Sequence, residues 1–291
     1  MEERVYTYSK FCGLLGYPIK HTLSPLMHNL SFDYHSIDWV YLPFEVEPDD
    51  FEKAVVGLKA AGAVGFNVTM PFKELVIKLL DDVDDEVKKM GAVNTVKIIN
   101  GKMIGYNTDH RGFFRTFEIY RDDIEGEKVL IFGAGGAAKA VLYSLLHRFE
   151  PESILILDIL EDKIDNLRML IKSWNVKSVN ISFDLLNRLN DLEERIKKSK
   201  LIINATPVGM TPNIQNSIID NENNFRNEHI IYDLVYNPLK TALQKKAEKM
   251  GAVAIGGLDM LIYQGAEAFK IWTGKDMPVE KVKEKLESAL K

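Results

Sequence analysis

The residues of this chain that could do chemistry fall into two sets. One is the turn Gly133-Ala134-Gly135-Gly136-Ala137-Ala138; the other is a scatter of hydroxyls, amides, a lysine and carboxylates that precedes it. Gly133, Gly135 and Ala138 fit the spacing G-x-G-x-x-G/A. In that pattern glycines permit a tight turn, backbone N–H groups approach a pyrophosphate, and a small last residue lets helix and strand pack closely. The flanks suit it: Val129 to Phe132 is an apolar run of the kind buried on both faces, and Val141, Leu142, Leu145 and Leu146 form a helical stripe. A helix starting there would favour an anion through its dipole and unpaired N–H groups. A strand–helix turn holding no ligand would read the same way.

Asp158 ends the next apolar run, Ile154 to Leu157, close to the offset of about 20 residues at which an acid meets an adenosine ribose. Its carboxylate could accept from both ribose hydroxyls of NAD. The 2′-phosphate of NADP would face it as a like charge, with no arginine near and Lys163 the next cation along the chain. The spacing therefore predicts NAD in preference to NADP, unless Asp158 only caps the helix that follows.

In the first part of the chain, Ser24-Pro25 is a helix-start signal, a hydroxyl at N-cap and proline at N1. Capping accounts for Ser24 but not for Thr22; two hydroxyls at the positive end of a helix could also seat a carboxylate. Pro71 predicts another helix start, with Leu75, Val76, Leu79 and Leu80 as its buried stripe and Lys73 in the first turn, where the dipole disfavours a cation. Lys73 next to Thr69 at a strand end thus suggests a role other than stability, though an exposed lysine is an equally plain reading. The acidic run from Asp81 to Glu86 lacks the alternation and glycine of a calcium loop and reads as a solvated turn and helix start. Asn100-Gly101 predicts a hairpin over Thr95 to Tyr106, flanked by Asn94 and Asp109.

The elements that must position these groups follow from the remaining pattern. A length of 291 residues suggests about two domains, and a 46% hydrophobic fraction supplies cores for both. Net charge is −5 without a basic block, which recommends neither nucleic acid nor an anionic membrane. The segment MEERVYTYSK has no apolar core of signal-peptide type, and Cys12 is the single cysteine, so a cytoplasmic setting without disulfide or thiolate metal cluster is expected. Strands at Phe11–Gly16, Trp39–Val46 and Ala63–Val68 precede the hairpin. Beyond the glycine turn, strands at 154–157, 176–181, 201–204 and 230–234 alternate with helices, which implies a parallel sheet. A boundary near Thr108 is expected, followed by a connecting helix from Gly112 to Tyr120.

Eight blocks together resemble the shikimate dehydrogenase family. They are Pro18 to Pro25, Asn67 to Lys73, Gly91 to Thr95, Gly105 to Asp109, the GAGGAA turn, Asn204 to Pro207, Tyr236 to Pro238 and Tyr263 to Gly265. The resemblance implies an α/β protein of two domains. An amino-terminal substrate domain, 1–108, would be completed by 257–291, with a Rossmann domain, 109–256, between and the site in the cleft. Carried over by position, Thr22, Ser24, Thr69, Asn94, Asp109, Tyr236 and Gln264 would surround the substrate, and Lys73 would be the acid/base with Asp109 beside it. Gly133, Ala134, Gly135, Gly136, Ala137, Asp158, Asn204, Thr206, Leu234 and Gly257 would meet the cofactor.

The implied reaction is reversible hydride transfer between a nicotinamide and carbon 3 of shikimate or 3-dehydroshikimate, as in chorismate biosynthesis. Two departures stand out. Thr22 replaces the more usual serine, adding a methyl that could shift preference between shikimate and quinate. Asp158-Ile159-Leu160 stands where NADP-using members carry Asn-Arg-Thr. An NAD-dependent quinate or dual-specificity enzyme is the alternative within the class. A non-catalytic nucleotide sensor is the alternative outside it, disfavoured by the presence of both Lys73 and Asp109; a folate-linked dehydrogenase fits the Thr22/Ser24 segment poorly. The oligomeric state is left open, a homodimer included.

Overall fold

The protein was analysed as a computed structural model that describes residues 9–174 and 179–291. Most of the MEERVYTYSK segment, and the beginning of the strand expected at 176–181, lie outside the described residues. The chain divides into two compact units, one comprising residues up to Thr108 with Gln264–Leu286, the other Asp109–Tyr263 with Glu287–Lys291.

The first unit holds β1 (Lys10–Gly16), α1 (Ser24–Tyr34), β2 (Trp39–Glu45), α2 (Phe51–Ala60), β3 (Gly65–Val68), β4 (Asp82–Val83), α3 (Asp85–Met90), β5 (Thr95–Ile99) and β6 (Lys102–Tyr106). Its sheet runs β2-β1-β3-β5-β6-β4, with β1, β2 and β3 mutually parallel and β5 antiparallel to both its neighbours. The hairpin forms where Asn100-Gly101 places it, and both turn residues have positive φ, 51° and 74°. That is the backbone twist a two-residue hairpin needs. Within the acidic run, Asp84 caps α3 by accepting a bond from Val87 N (2.7 Å).

The helix expected from Pro71 does not form. The chain makes a turn there and then a 3₁₀ segment over Leu75–Leu79. Phe72 leaves the turn inward, stacking on Phe51 with ring centroids 4.1 Å apart, and is completely buried. Of the expected stripe only Val76 is fully buried, while Leu75 is 47% exposed. Anchoring one aromatic in the core thus overrides the amphipathic helical pattern, and Lys73 occupies a turn rather than a helix end.

The second unit begins with α4 (Asp109–Phe117) and α5 (Arg121–Ile124). It continues with β7 (Lys128–Phe132), α6 (Gly136–Arg148), β8 (Ser153–Asp158), α7 (Glu161–Ser173), β9 (Asn180–Leu185), α8 (Leu192–Lys198), β10 (Leu201–Asn204), β11 (Ile230–Asp233), α9 (Ala242–Lys249) and β12 (Val253–Gly256). All six strands are parallel in the order β9-β8-β7-β10-β11-β12. This is the doubly wound dinucleotide-binding arrangement, whose order reverses between β7 and β10. Val129, Leu130, Ile131 and Phe132 are all buried, as a central parallel strand requires. The short edge strand β12 is half-exposed and carries no apolar alternation, which is why the sequence does not announce it.

The helix α10 (Leu258–Thr273) starts in the second unit and continues in the first, and α11 (Val279–Ala289) follows. Trp272 Nε1 donates to Val96 O (2.9 Å) and Lys97 Nζ to Ile271 O (2.6 Å), so the end of α10 is bonded to β5. Among the described residues no helix is long and apolar enough to cross a membrane.

Candidate active site

In the first unit a chain of buried amides and hydroxyls joins segments far apart in sequence. Asn94 accepts from Thr108 N (2.7 Å) and donates to Thr108 Oγ1 (2.9 Å) and to Gln264 Oε1 (3.3 Å). Asn67, inside β3, donates to Asn94 O (3.0 Å) and Thr95 Oγ1 (2.9 Å) and accepts from the Tyr41 hydroxyl (2.8 Å). Tyr41 is buried and stacks on the His28 ring at 4.4 Å; burial pushes its phenol well above the usual value. Buried polar side chains are costly unless bonded, and this network satisfies them while holding Asn94 and Gln264 in fixed rotamers.

Thr22 and Ser24 lie at the amino end of α1. The capping use of Ser24 is not realised: Leu23 occupies the cap position, without a side-chain cap bond. Instead the Thr22 hydroxyl donates to Ser24 Oγ (3.3 Å) and accepts from Ser24 N (3.3 Å), and Ser24 also interacts with the Tyr41 phenol. Thr69 follows β3, held by Thr69 N to Leu15 O (2.9 Å). Lys73 is half-buried, and its carbonyl accepts from Val93 N (2.8 Å), which ties the lysine's turn to the residue before Asn94. Thr22, Ser24, Thr69, Lys73, Asn94 and Gln264 thus belong to the first unit. Asp109, which opens α4 and is 8% exposed, and the half-buried Tyr236 belong to the second. Burial raises the Tyr236 phenol.

The glycine turn lies between β7 and α6. Gly133 has φ +102°, and a Cβ there would stand 2.9 Å from Ala205 O, so the protein itself demands glycine. Gly135 and Gly136 differ: a Cβ on either meets no atom of the described residues within 4 Å. The space their missing side chains leave lies at the amino end of a 13-residue helix with no side-chain cap, which fits the phosphates of a dinucleotide.

At the carboxyl ends of β10 and β11, Asn204 Oδ1 accepts from Thr206 N (3.0 Å) and the Thr206 hydroxyl (2.6 Å). Leu234 N bonds Asn204 O (3.0 Å), and a Cβ on Gly257 would lie 2.0 Å from Leu234 O. The expected cofactor residues Asn204, Thr206, Leu234 and Gly257 therefore form one continuous edge. Sequence reading missed Asn67, Tyr41, Thr95 and Thr108; an amide flanked by apolar residues in the short strand β3 was the available signal. It also missed Asp233, which is completely buried beneath that edge.

Two family models match the chain: the shikimate dehydrogenase substrate binding domain over residues 14–96, and the shikimate 5′-dehydrogenase C-terminal domain over residues 257–287. The shikimate dehydrogenase (NADP(+)) of Methanocaldococcus jannaschii is 41% identical over 275 residues, 94% of this chain and 95% of the relative. A solved shikimate dehydrogenase in complex with NADP+ superposes with a TM-score of 0.87 at 39% identity, covering 97% of this chain and 96% of the other. The Listeria monocytogenes shikimate 5-dehydrogenase, solved with shikimate and NAD, gives 0.86 at 36% identity, covering 98% of this chain and 99% of the other.

These likenesses overturn the expected preference for NAD, since the curated relatives are named for NADP(+). The geometry of Asp158 supplies a reason. Its Oδ2 accepts from Ala134 N (2.8 Å) and its Oδ1 from Leu160 N (3.0 Å), and the residue is 8% exposed. Both oxygens are committed to backbone donors that close the glycine turn onto β8, so the carboxylate is not the exposed, repelling acid that its offset in sequence suggested. On full-length identity, matched domains and fold together, the chain belongs to the shikimate dehydrogenase family.

Proposed function

We propose that this chain catalyses the reversible NADP-dependent reduction of 3-dehydroshikimate to shikimate in a cytoplasmic setting, to which the fully buried thiol of Cys12 is suited. The observation that carries the reading is the buried network centred on Asn94. It spends six hydrogen-bonding side chains on fixing donors and acceptors next to the Thr22/Ser24 hydroxyls and the Lys73 turn, more polar order than a core needs for packing.

In this reading Thr22 and Ser24 donate to the substrate carboxylate, and Asn94, Thr69, Gln264 and Tyr236 fix the ring hydroxyls. Lys73 gives a proton to the C3 oxygen as the ketone is reduced and takes it back in oxidation, with Asp109 orienting it. The bound nicotinamide supplies or accepts the hydride. The open amino end of α6 takes the pyrophosphate, and the Asn204–Thr206 and Leu234–Gly257 edge shapes the nicotinamide end.

Steady-state oxidation of shikimate and of quinate, each with NADP and with NAD, tests this. The highest kcat/KM is expected for shikimate with NADP. Absence of shikimate turnover with either cofactor would overturn the reading; faster turnover of quinate would move the substrate and leave the reaction class standing.

A further inference from the structure

Asp233 ends β11 with no exposed surface. Three donors converge on it: Asn204 Nδ2 (2.9 Å) and Val235 N (3.1 Å) on Oδ1, and the Thr241 hydroxyl (2.7 Å) on Oδ2. The amide orientation of Asn204 is settled, because its Oδ1 already accepts from Thr206 N and from the Thr206 hydroxyl. Every one of these bonds gives a hydrogen to the carboxyl, and a proton on it would find an acceptor only if Thr241 turned its own hydrogen to Gln244 Oε1, 3.3 Å away. Burial raises its pKa, and the Thr241, Val235 and Asn204 donors only partly offset that rise.

What the site lacks is a counter-ion. All three partners are neutral, and among the described residues no basic side chain pairs with Asp233. Buried charges are ordinarily paired, and leaving one with neutral donors alone is costly. The carboxylate sits at the carboxyl end of the middle strand of the second half of the doubly wound sheet. It directly precedes Leu234 and is bonded to Asn204, below the edge where such folds hold the second nucleotide of a dinucleotide. The oxidised nicotinamide ring carries one positive charge and the reduced ring none. We propose that Asp233 is the built-in counter-ion of the oxidised nicotinamide, a residue that biases the site toward NADP+ over NADPH through its buried charge. The inference rests on the cofactor placement given under Proposed function.

The substitution Asp233→Asn isolates the charge. The amide oxygen can keep the bonds from Asn204 and Val235. The new NH2 can donate to Thr241 Oγ1, whose own hydrogen can turn to Gln244 Oε1, 3.3 Å away. Dissociation constants for NADP+ and NADPH are measured by direct titration, with calorimetry for the first and ligand fluorescence for the second, on wild type, Asp233→Asn and Asp233→Glu. The ratio of the two constants is the readout. If the charge acts as proposed, Asp233→Asn weakens NADP+ on the order of tenfold, the scale of a unit-charge interaction across a partly screened interior, and leaves NADPH within about twofold. Asp233→Glu keeps the wild-type ratio even where packing weakens both. Asp233→Ser is the second charge-free variant should the amide not fold. Equal weakening of both forms, or of neither, overturns the proposal and leaves Asp233 as a fastener of the loops. Failure of wild type to bind either form would instead overturn the cofactor placement.

Discussion

A substrate carboxylate and a reacting carbinol make different demands on side chains, and the residues assigned to each should separate in kinetics. Thr22 and Ser24 would grip a group remote from the reacting carbon, so their bonds serve ground and transition states alike. Replacing both by alanine should raise KM for shikimate by about 10²- to 10⁴-fold, at roughly 1.5–3 kcal/mol for each of two charge-assisted bonds, with kcat little changed. An unaltered KM in the double variant would remove them from the site. Lys73→Ala should show the converse pattern, a kcat lower by about 10²–10⁴ with the thermal transition and NADP affinity kept. The turn that carries Lys73 is fixed through its carbonyl, which accepts from Val93 N and which the substitution leaves in place.

Among the elements, the turn from β7 into α6 and the start of α9 are each held by contacts that a single substitution can test. Gly133→Ala forces a Cβ to within 2.9 Å of Ala205 O at a φ of +102°. A cost of about 1–3 kcal/mol in unfolding free energy is expected, together with weaker cofactor binding as the turn shifts; an unchanged denaturation midpoint would show that Ala205 yields freely. Thr241 heads α9 in a capping box with Gln244 while also donating to buried Asp233. Thr241→Ala should therefore cost about 2–4 kcal/mol, the sum of a lost cap and a buried carboxylate short of one donor, and Thr241→Ser should recover most of it. A loss near 1 kcal/mol or less would mean the Asp233 bond contributes nothing beyond the cap.

For the molecule as a whole, acid stability should be governed in part by His28. The ring is fully buried among Tyr41, Phe32, Phe269 and Trp272, neither nitrogen finds a partner among the described residues, and burial lowers its pKa to about 3. An unfolded histidine titrates near 6.5, so between those values the unfolded chain binds the proton that the native chain refuses. Stability from this group is full above about pH 6.5 and is lost as pH falls toward 3, by up to about 1.4 kcal/mol per pH unit. Chemical denaturation from pH 7 to 4 should show that slope in wild type and a flatter one in His28→Leu. Equal slopes would mean that other groups set the acid limb.

Local signals were enough wherever backbone chemistry is local. Asn100-Gly101 specified a hairpin because few residue pairs accept two successive positive φ angles, and the run Val129 to Phe132 followed by small residues specified a buried strand and a tight turn. The motif blocks likewise picked out the family, since their residue types and order are specific even where each spacing is modest. Helix extent after Pro71 was not legible: the apolar stripe there is helical in period, but the stacking of Phe72 on Phe51 is a contact between segments about 20 residues apart and no window of sequence contains it. The uses of Ser24 and Asp158 were ambiguous for the same reason. Each type suits a helix cap, a ligand or a backbone anchor, and only the packed chain decided: Ser24 turns to Thr22 and Tyr41, and Asp158 binds the amides of Ala134 and Leu160. Asn67 and Asp233 went unread because a polar residue inside an apolar strand costs too much to bury until its partners arrive, and those partners come from other strands and loops. Sequence determined which groups were available and which turns they sat on; tertiary structure decided which of them were already committed to one another.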